Sequence, residues 1–221
     1  MPSAEPSRRP GPARDPDKRA RILEAAIRVF ARKGFHGAKV AEIAEDAGVA
    51  DGTINLYFKN KDDLLISLFE ERMETLLGGL RDALAGVTGG PDKLRACIDH
   101  LLGFAQAHPQ LMEVFTVEIR QSTKFIKEYS NPKFREYLDL VARIISDGQA
   151  QGLFRADVSP HVTARALYGA MDEICLQHVL TARSASAFTE ASRQIREIFV
   201  QGLAPAPARP SARAGQSDAR R

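Results

Sequence analysis

The stretch AKVAEIAEDAGVADGTINLYFKNK, residues 38–61, limits what this chain can become more than any other. Val40, Ile43, Ala44 and Ala47 recur at three- and four-residue spacing, the period of one helix face. Gly48 then supplies a residue free to take the left-handed conformation that ends a helix. A second short helix is predicted from Asp51 to Phe58, with Ile54 and Phe58 on its inner face and Asn55, Leu56, Tyr57 and Lys59 on its outer one. Two short helices joined by a glycine-containing turn make a helix-turn-helix, whose second helix can enter the DNA major groove with its first residues at the base edges. Gly52 and Thr53 are small enough at that end to let backbone and DNA approach closely. Helical hairpins of this kind also occur in proteins that never meet nucleic acid, so the neighbours must decide.

Upstream, Asp17 is a start signal for a helix to Lys33, with Leu23, Ala26, Ile27 and Phe30 as its buried stripe and Gly34 as its stop. Residues 1–15 are Pro-, Ser- and Arg-rich with no apolar period. They read as a disordered basic arm in which Arg8, Arg9 and Arg14 can follow DNA or merely solubilise. Lys39 and Lys61 stand at predicted helix starts, where a cation and free backbone N–H groups can meet phosphate together. Charge follows the same division: residues 1–61 carry twelve Lys and Arg against eight Asp and Glu, the remaining 160 nineteen against twenty. A solvated basic surface would give the same count.

Asn60 to Asp63 form a capping arrangement for a long helix reaching Leu84. Gly86, Gly89, Gly90 and Pro91 interrupt it and mark a boundary. Beyond them every segment has helical period. Leu94, Ile98, Leu101 and Ala105 make one stripe. Met112, Phe115 and Ile119 begin another that kinks before Phe125, and Phe134, Leu138, Val141 and Ile145 a third. Helices at 160–181 and 186–203 follow, and the Ala-, Pro- and Arg-rich tail from Ala204 reads as disordered. Two polar intrusions break these faces: Glu118, Arg120 and Gln121 after an apolar run, and Asp172 and Glu173 beside Met171. Buried charge is costly unless paired, so Arg120 is expected to meet Asp172 or Glu173. Cys97 and Cys175 lack metal spacing and suit small core positions. No secretory signal or apolar run of about 20 residues is seen, which points to a soluble cytoplasmic protein without membrane contact. The five His residues, 36, 100, 108, 161 and 178, show neither metal spacing nor a nucleophile partner, so neither catalysis nor a cofactor is expected.

Gly34 and Phe35, then Ile43 to Val49, Gly52 and Thr53, Tyr57 and Phe58, and Lys61 follow in order the pattern of the TetR family of transcriptional repressors, which residues 21–65 closely resemble. That resemblance implies an all-α fold: a three-helix DNA-binding head at 16–61 and a helical ligand-binding and dimerisation bundle at 62–203. It also implies a homodimer on a palindromic operator, with 160–181 and 186–203 as the dimer seam, and a hydrophobic effector held in the bundle. DNA contacts would fall to Lys39, Gly52, Thr53, Asn55, Tyr57 and Lys61. The EIRQS segment at 118–122, the KFIKEYSNPKFREYL that follows and the YGAMDE segment at 168–173 are similar to the acyl-CoA-responsive repressors of fatty-acid degradation within that family. They imply a long-chain acyl-CoA inducer whose tail lies among Phe104, Phe115, Ile119, Leu167 and Met171, residues equally suited to ordinary core. Arg120, Asp172 and Glu173 would stand beside it, and Arg120, Lys124 and Lys127 are candidates for its phosphates. The alternative keeps the fold and makes the effector a drug-like molecule. Two positions depart from the family: Asn55 replaces a Tyr, and Ala38 stands where a Thr usually caps the second helix.

Overall fold

The computed structural model describes residues 15–181 and 184–205, which form ten α-helices and one 3-10 turn without a strand. The basic arm and most of the tail lie outside the described residues. The first helix, α1 (Pro16–Gly37), starts where the Asp15 carboxylate accepts the Asp17 N–H at 3.0 Å. It buries Ile22, Leu23, Ala26, Ile27 and Phe30. Gly34 interrupts it as expected, but with φ 73° and ψ 161°, a conformation open essentially to glycine alone, and one further turn follows. α2 (Val40–Asp46) and α3 (Asp51–Tyr57) enclose a turn with Gly48 at φ 65°. Ile54 and Phe58 are buried beneath α3.

α4 (Lys61–Leu84) begins on a doubly satisfied cap: Asn60 accepts the Asp63 N–H and the Asp63 carboxylate accepts the Lys59 N–H, both at 2.8 Å. Gly86 and Gly89, both at positive φ, then turn the chain back so that α5 (Gly90–Ala107) packs along α4. The interruption at 86–91 is therefore a reversal inside the body, since α4 buries Leu76, Leu77 and Leu80 against its neighbours there. The stripe from Met112 to Tyr129 is not one kinked helix but three pieces: α6 (Pro109–Thr116), a 3-10 turn at Glu118–Gln121, and α7 (Thr123–Lys127). Ser122 starts the last piece by accepting the Phe125 N–H at 3.1 Å. α8 (Pro132–Ala150) and α9 (Pro160–Thr181) pack extensively on each other, and α10 (Ala185–Gly202) lies on α5 and α9. α1 packs on α4, α6 and the 3-10 turn as well as on α2, so one helix carries the head and touches the body.

A Cβ at Gly34 would lie 3.3 Å from a Glu118 carboxylate oxygen, besides requiring a disfavoured backbone. Gly34→Ala is therefore expected to lower stability by about 1–3 kcal/mol in urea unfolding.

Candidate nucleic-acid interface and interior cavity

α3 stands on α2 with its outer face free: Asn55 and Leu56 are exposed, and nothing lies within 4 Å of where a Gly52 Cβ would be. Thr53 is half-buried and Lys39 and Lys59 are exposed. The cap of α2 is Lys39, not Ala38, which is buried one residue earlier. The missing hydroxyl is partly replaced by Glu42, whose carboxylate accepts the Lys39 N–H at 3.2 Å and pairs with Lys33 at 2.7 Å.

Two of the residues expected to contact DNA, Tyr57 and Lys61, are engaged within the protein. The Tyr57 hydroxyl accepts the Asp15 N–H at 2.9 Å and donates to the Asp15 carbonyl at 3.2 Å, tying the start of α1 to α3. The Lys61 ammonium donates to the carbonyls of Phe35, His36 and Ala38 at 2.5, 3.2 and 3.0 Å and lies 4.7 Å from the centre of the Phe35 ring. Those carbonyls follow the break in α1 and have few helical partners, so the lysine caps them. A lysine at a helix start looks like a phosphate contact in sequence because its acceptors lie 23–26 residues away.

In the body, a space of about 50 Å³ is walled by Phe69, Met73 and Leu76 of α4, Leu101 and Phe104 of α5, Met112 and Phe115 of α6, and Phe134, Tyr137, Tyr168, Asp172 and Cys175 of α8 and α9. Of the expected ligand residues, Phe104, Phe115 and Asp172 reach this wall. Ile119, Leu167 and Met171 are buried but pack elsewhere in the core, and Glu173 faces out, accepting from Gln177 at 2.9 Å. Pattern reading misses the α4 and α8 residues because their period identifies a buried face without saying which part of it borders a gap. Tyr137 is buried with its hydroxyl beside the Cys97 thiol, and burial pushes its pKa well above the ordinary phenol value. The thiols of Cys97 and Cys175 are free and raised to about 12 by burial, so both stay protonated and unreactive at neutral pH.

Arg120 meets Asp172 at 2.5 Å, so of its two expected partners Glu173 is the one left aside. The same 3-10 turn carries Glu118, which the sequence shows only as a polar intrusion. Its buried carboxylate accepts the Phe35 N–H at 2.5 Å and the Gln121 amide at 2.9 Å, and it lies against Gly34. One turn of chain thus holds the cavity wall with Arg120 and the end of α1 with Glu118. Ser122, just beyond, donates to Asp62 at 2.6 Å at the start of α4.

Residues 22–68 match the family described as bacterial regulatory proteins, tetR family, and residues 69–202 match the C-terminal region of the YsiA-like proteins. The chain is 30% identical over 186 residues to the fatty acid metabolism regulator protein of Bacillus subtilis, spanning 84% of this chain and 95% of that one. Its fold is similar to that of the fatty acid degradation regulator FadR from Bacillus halodurans, with a TM-score of 0.78 at 30% identity over 89% of this chain and 98% of the other. It is also similar to FadR from Bacillus subtilis in complex with stearoyl-CoA, with a TM-score of 0.77 at 30% identity over 83% and 98% of the two chains. These relatives are regulators of transcription and not enzymes. A helix-turn-helix head on a helical body and these matches across both parts establish that the chain belongs to the TetR family of bacterial transcriptional regulators.

Proposed function

We propose that this chain is a cytoplasmic, homodimeric repressor of fatty-acid degradation genes, released from a palindromic operator by a long-chain acyl-CoA. The observation that carries this reading is the apolar cavity whose one carboxylate, Asp172, is held by the turn that also grips α1. The Bacillus subtilis relative bound to stearoyl-CoA supports the choice of ligand. Asp172 would otherwise favour a cationic drug, but Arg120 already neutralises it. At about 50 Å³ the space is far smaller than the roughly 300–1,000 Å³ of a ligand pocket, so an acyl chain enters only by parting the wall. Ligand-bound and ligand-free forms then differ in structure, which gives the ligand its differential affinity for two states.

Dimerisation through α9 and α10 is supported by their composition. Val162, Leu180 and Ile198 are 68%, 62% and 62% exposed, whereas most large apolar side chains of the described residues are covered. A second copy bringing the same pair would cover them by two-fold symmetry and present two α3 helices to successive major grooves.

Titrating an operator complex with acyl-CoAs of increasing length tests the reading: release at micromolar long-chain acyl-CoA, with little effect of short chains or planar cations, is the expected result. Release by the cations alone would favour the drug-responsive alternative. Leu180→Glu combined with Ile198→Glu is expected to give a monomer in sedimentation velocity and to abolish operator binding. Lys61→Met should destabilise the protein by about 1–3 kcal/mol, because it leaves three carbonyls without their cation. The slope of log affinity against log salt should stay unchanged in that variant, while Lys39→Ala flattens it by about 0.9 for each phosphate the lysine neutralises. Glu118→Gln should bind ligand but reduce the ratio of operator affinities without and with saturating ligand, by about 2- to 30-fold.

A further inference from the structure

A second space adjoins the apolar cavity. It is a cleft of about 370 Å³ between Glu24 and Ile27 of α1, Arg72 and Thr75 of α4, and the junction of α5 and α6 at Ala107 to Leu111. Phe104 lines both spaces, and its ring packs on His108 with centroids 4.6 Å apart, so this one side chain partitions them. The two sides differ in chemistry. The inner space is apolar but for its Asp172 edge, whereas the outer one is walled by a guanidinium, a carboxylate, an imidazole, a hydroxyl and an amide.

Arg72 is four-fifths buried, with 20% of its side chain exposed. One terminal nitrogen donates to Glu24, but its Nε–H is buried and has no acceptor. A guanidinium offers its donors as a rigid fork suited to two oxygens of one anion, and a buried donor without a partner is a standing cost. Glu24, half-exposed on α1, satisfies only part of that fork. A tetrahedral or planar anion in the cleft would satisfy the remainder.

We propose that this cleft is the subsite for the anionic head of the effector, a phosphate, phosphoanhydride or carboxylate held at two points by Arg72, while the chain attached to it passes Phe104 into the apolar cavity. This rests on the reading of the effector as an acyl-CoA and adds to it a place and a consequence. The anion takes Arg72 from Glu24. Since Glu24 is on the helix that carries the head and Arg72 on the first long helix of the body, the exchange removes one tie between them and leaves that of Arg19 with Glu71. Loss of this tie would contribute to the coupling between ligand and operator, and that coupling is reciprocal.

Opposite changes at the two partners test this. Direct binding to the full-length protein is measured calorimetrically with palmitoyl-CoA, palmitate and CoA alone, and operator release by fluorescence anisotropy. Arg72→Gln is expected to weaken the anionic ligand about tenfold or more. Glu24→Gln, which removes the competitor and leaves the guanidinium, should tighten it about three- to tenfold and weaken the operator. Arg72→Lys, keeping the charge without the fork, should fall between wild type and Arg72→Gln. A loss confined to palmitoyl-CoA assigns the subsite to phosphate, and an equal loss with palmitate shows that it takes a carboxylate as well. Weakening of ligand in both Glu24→Gln and Arg72→Gln, or unchanged binding in Arg72→Gln, overturns the subsite and leaves the pair as a packing contact. If Arg72→Gln does not fold, Glu24→Gln decides alone: tighter ligand supports the subsite, and unchanged or weaker ligand overturns it. Wild-type protein that neither binds nor is released by palmitoyl-CoA would instead overturn the proposed effector, a result independent of the variants.

Discussion

A buried carboxylate joins the two halves of this molecule. Glu118 is 6% exposed, and removing its charge from water is tolerable only because the Phe35 N–H and the Gln121 amide point at it. Glu113, on the preceding helix, has its pKa raised by partial burial and by the nearby Glu118 charge. The bond to Phe35 engages main chain at the end of α1, so it reports the position of the helix itself rather than that of a flexible side chain. The approach is possible because Gly34 has no Cβ and takes a backbone conformation that other residues avoid. A glycine that reads in sequence as a helix stop is therefore also the socket for the body's contact with the head.

What the sequence makes legible divides along a physical line. Helix faces are legible because burial on a helix recurs at three- and four-residue spacing: Ile43, Ala44, Ile54, Leu94, Ile98 and Val141 are all buried as their period requires. Capping by Asn60 is legible because both partners lie within one turn. The Arg120 to Asp172 pair is accessible for a different reason, since each residue interrupts an apolar stripe and an unpaired charge there would be costly. Lys61, Glu118 and Arg72 give no comparable signal. Their partners are 26, 83 and 48 residues away, and nothing local distinguishes a lysine bound to carbonyls from one bound to phosphate. The cavity wall is only partly legible because whether Ile119 or Tyr137 borders a gap depends on small mismatches in packing, which periodicity does not encode.

The wall of the cavity is built from side chains that can yield. Phe69 stacks near Phe115 and Phe125, with centroids 4.9 and 5.1 Å away, and Met73 and Met112 complete that side. Methionine has several rotatable bonds and aromatic rings slide past one another at modest cost, so space can be made here without breaking a helix. Arg120 is less accommodating, because it is committed to Asp172. On the proposed function, an interior that is soft where a chain would lie and specific where it meets α1 would direct displacement toward the head.

This arrangement also explains which state is the default. The cavity is small, as expected where protein interiors favour dense packing and an unfilled space forgoes dispersion attraction on every side. In this form Asp172 meets Arg120 and Glu118 holds the end of α1, so on the proposed function the ties that fix the head belong to the closely packed state. A ligand must supply enough apolar burial to replace the packing it separates. A long acyl chain does so roughly in proportion to its length, at about 0.8 kcal/mol per buried methylene. On the proposed function, short chains would recover too little to hold the cavity open, and selectivity for length would follow from the packing itself.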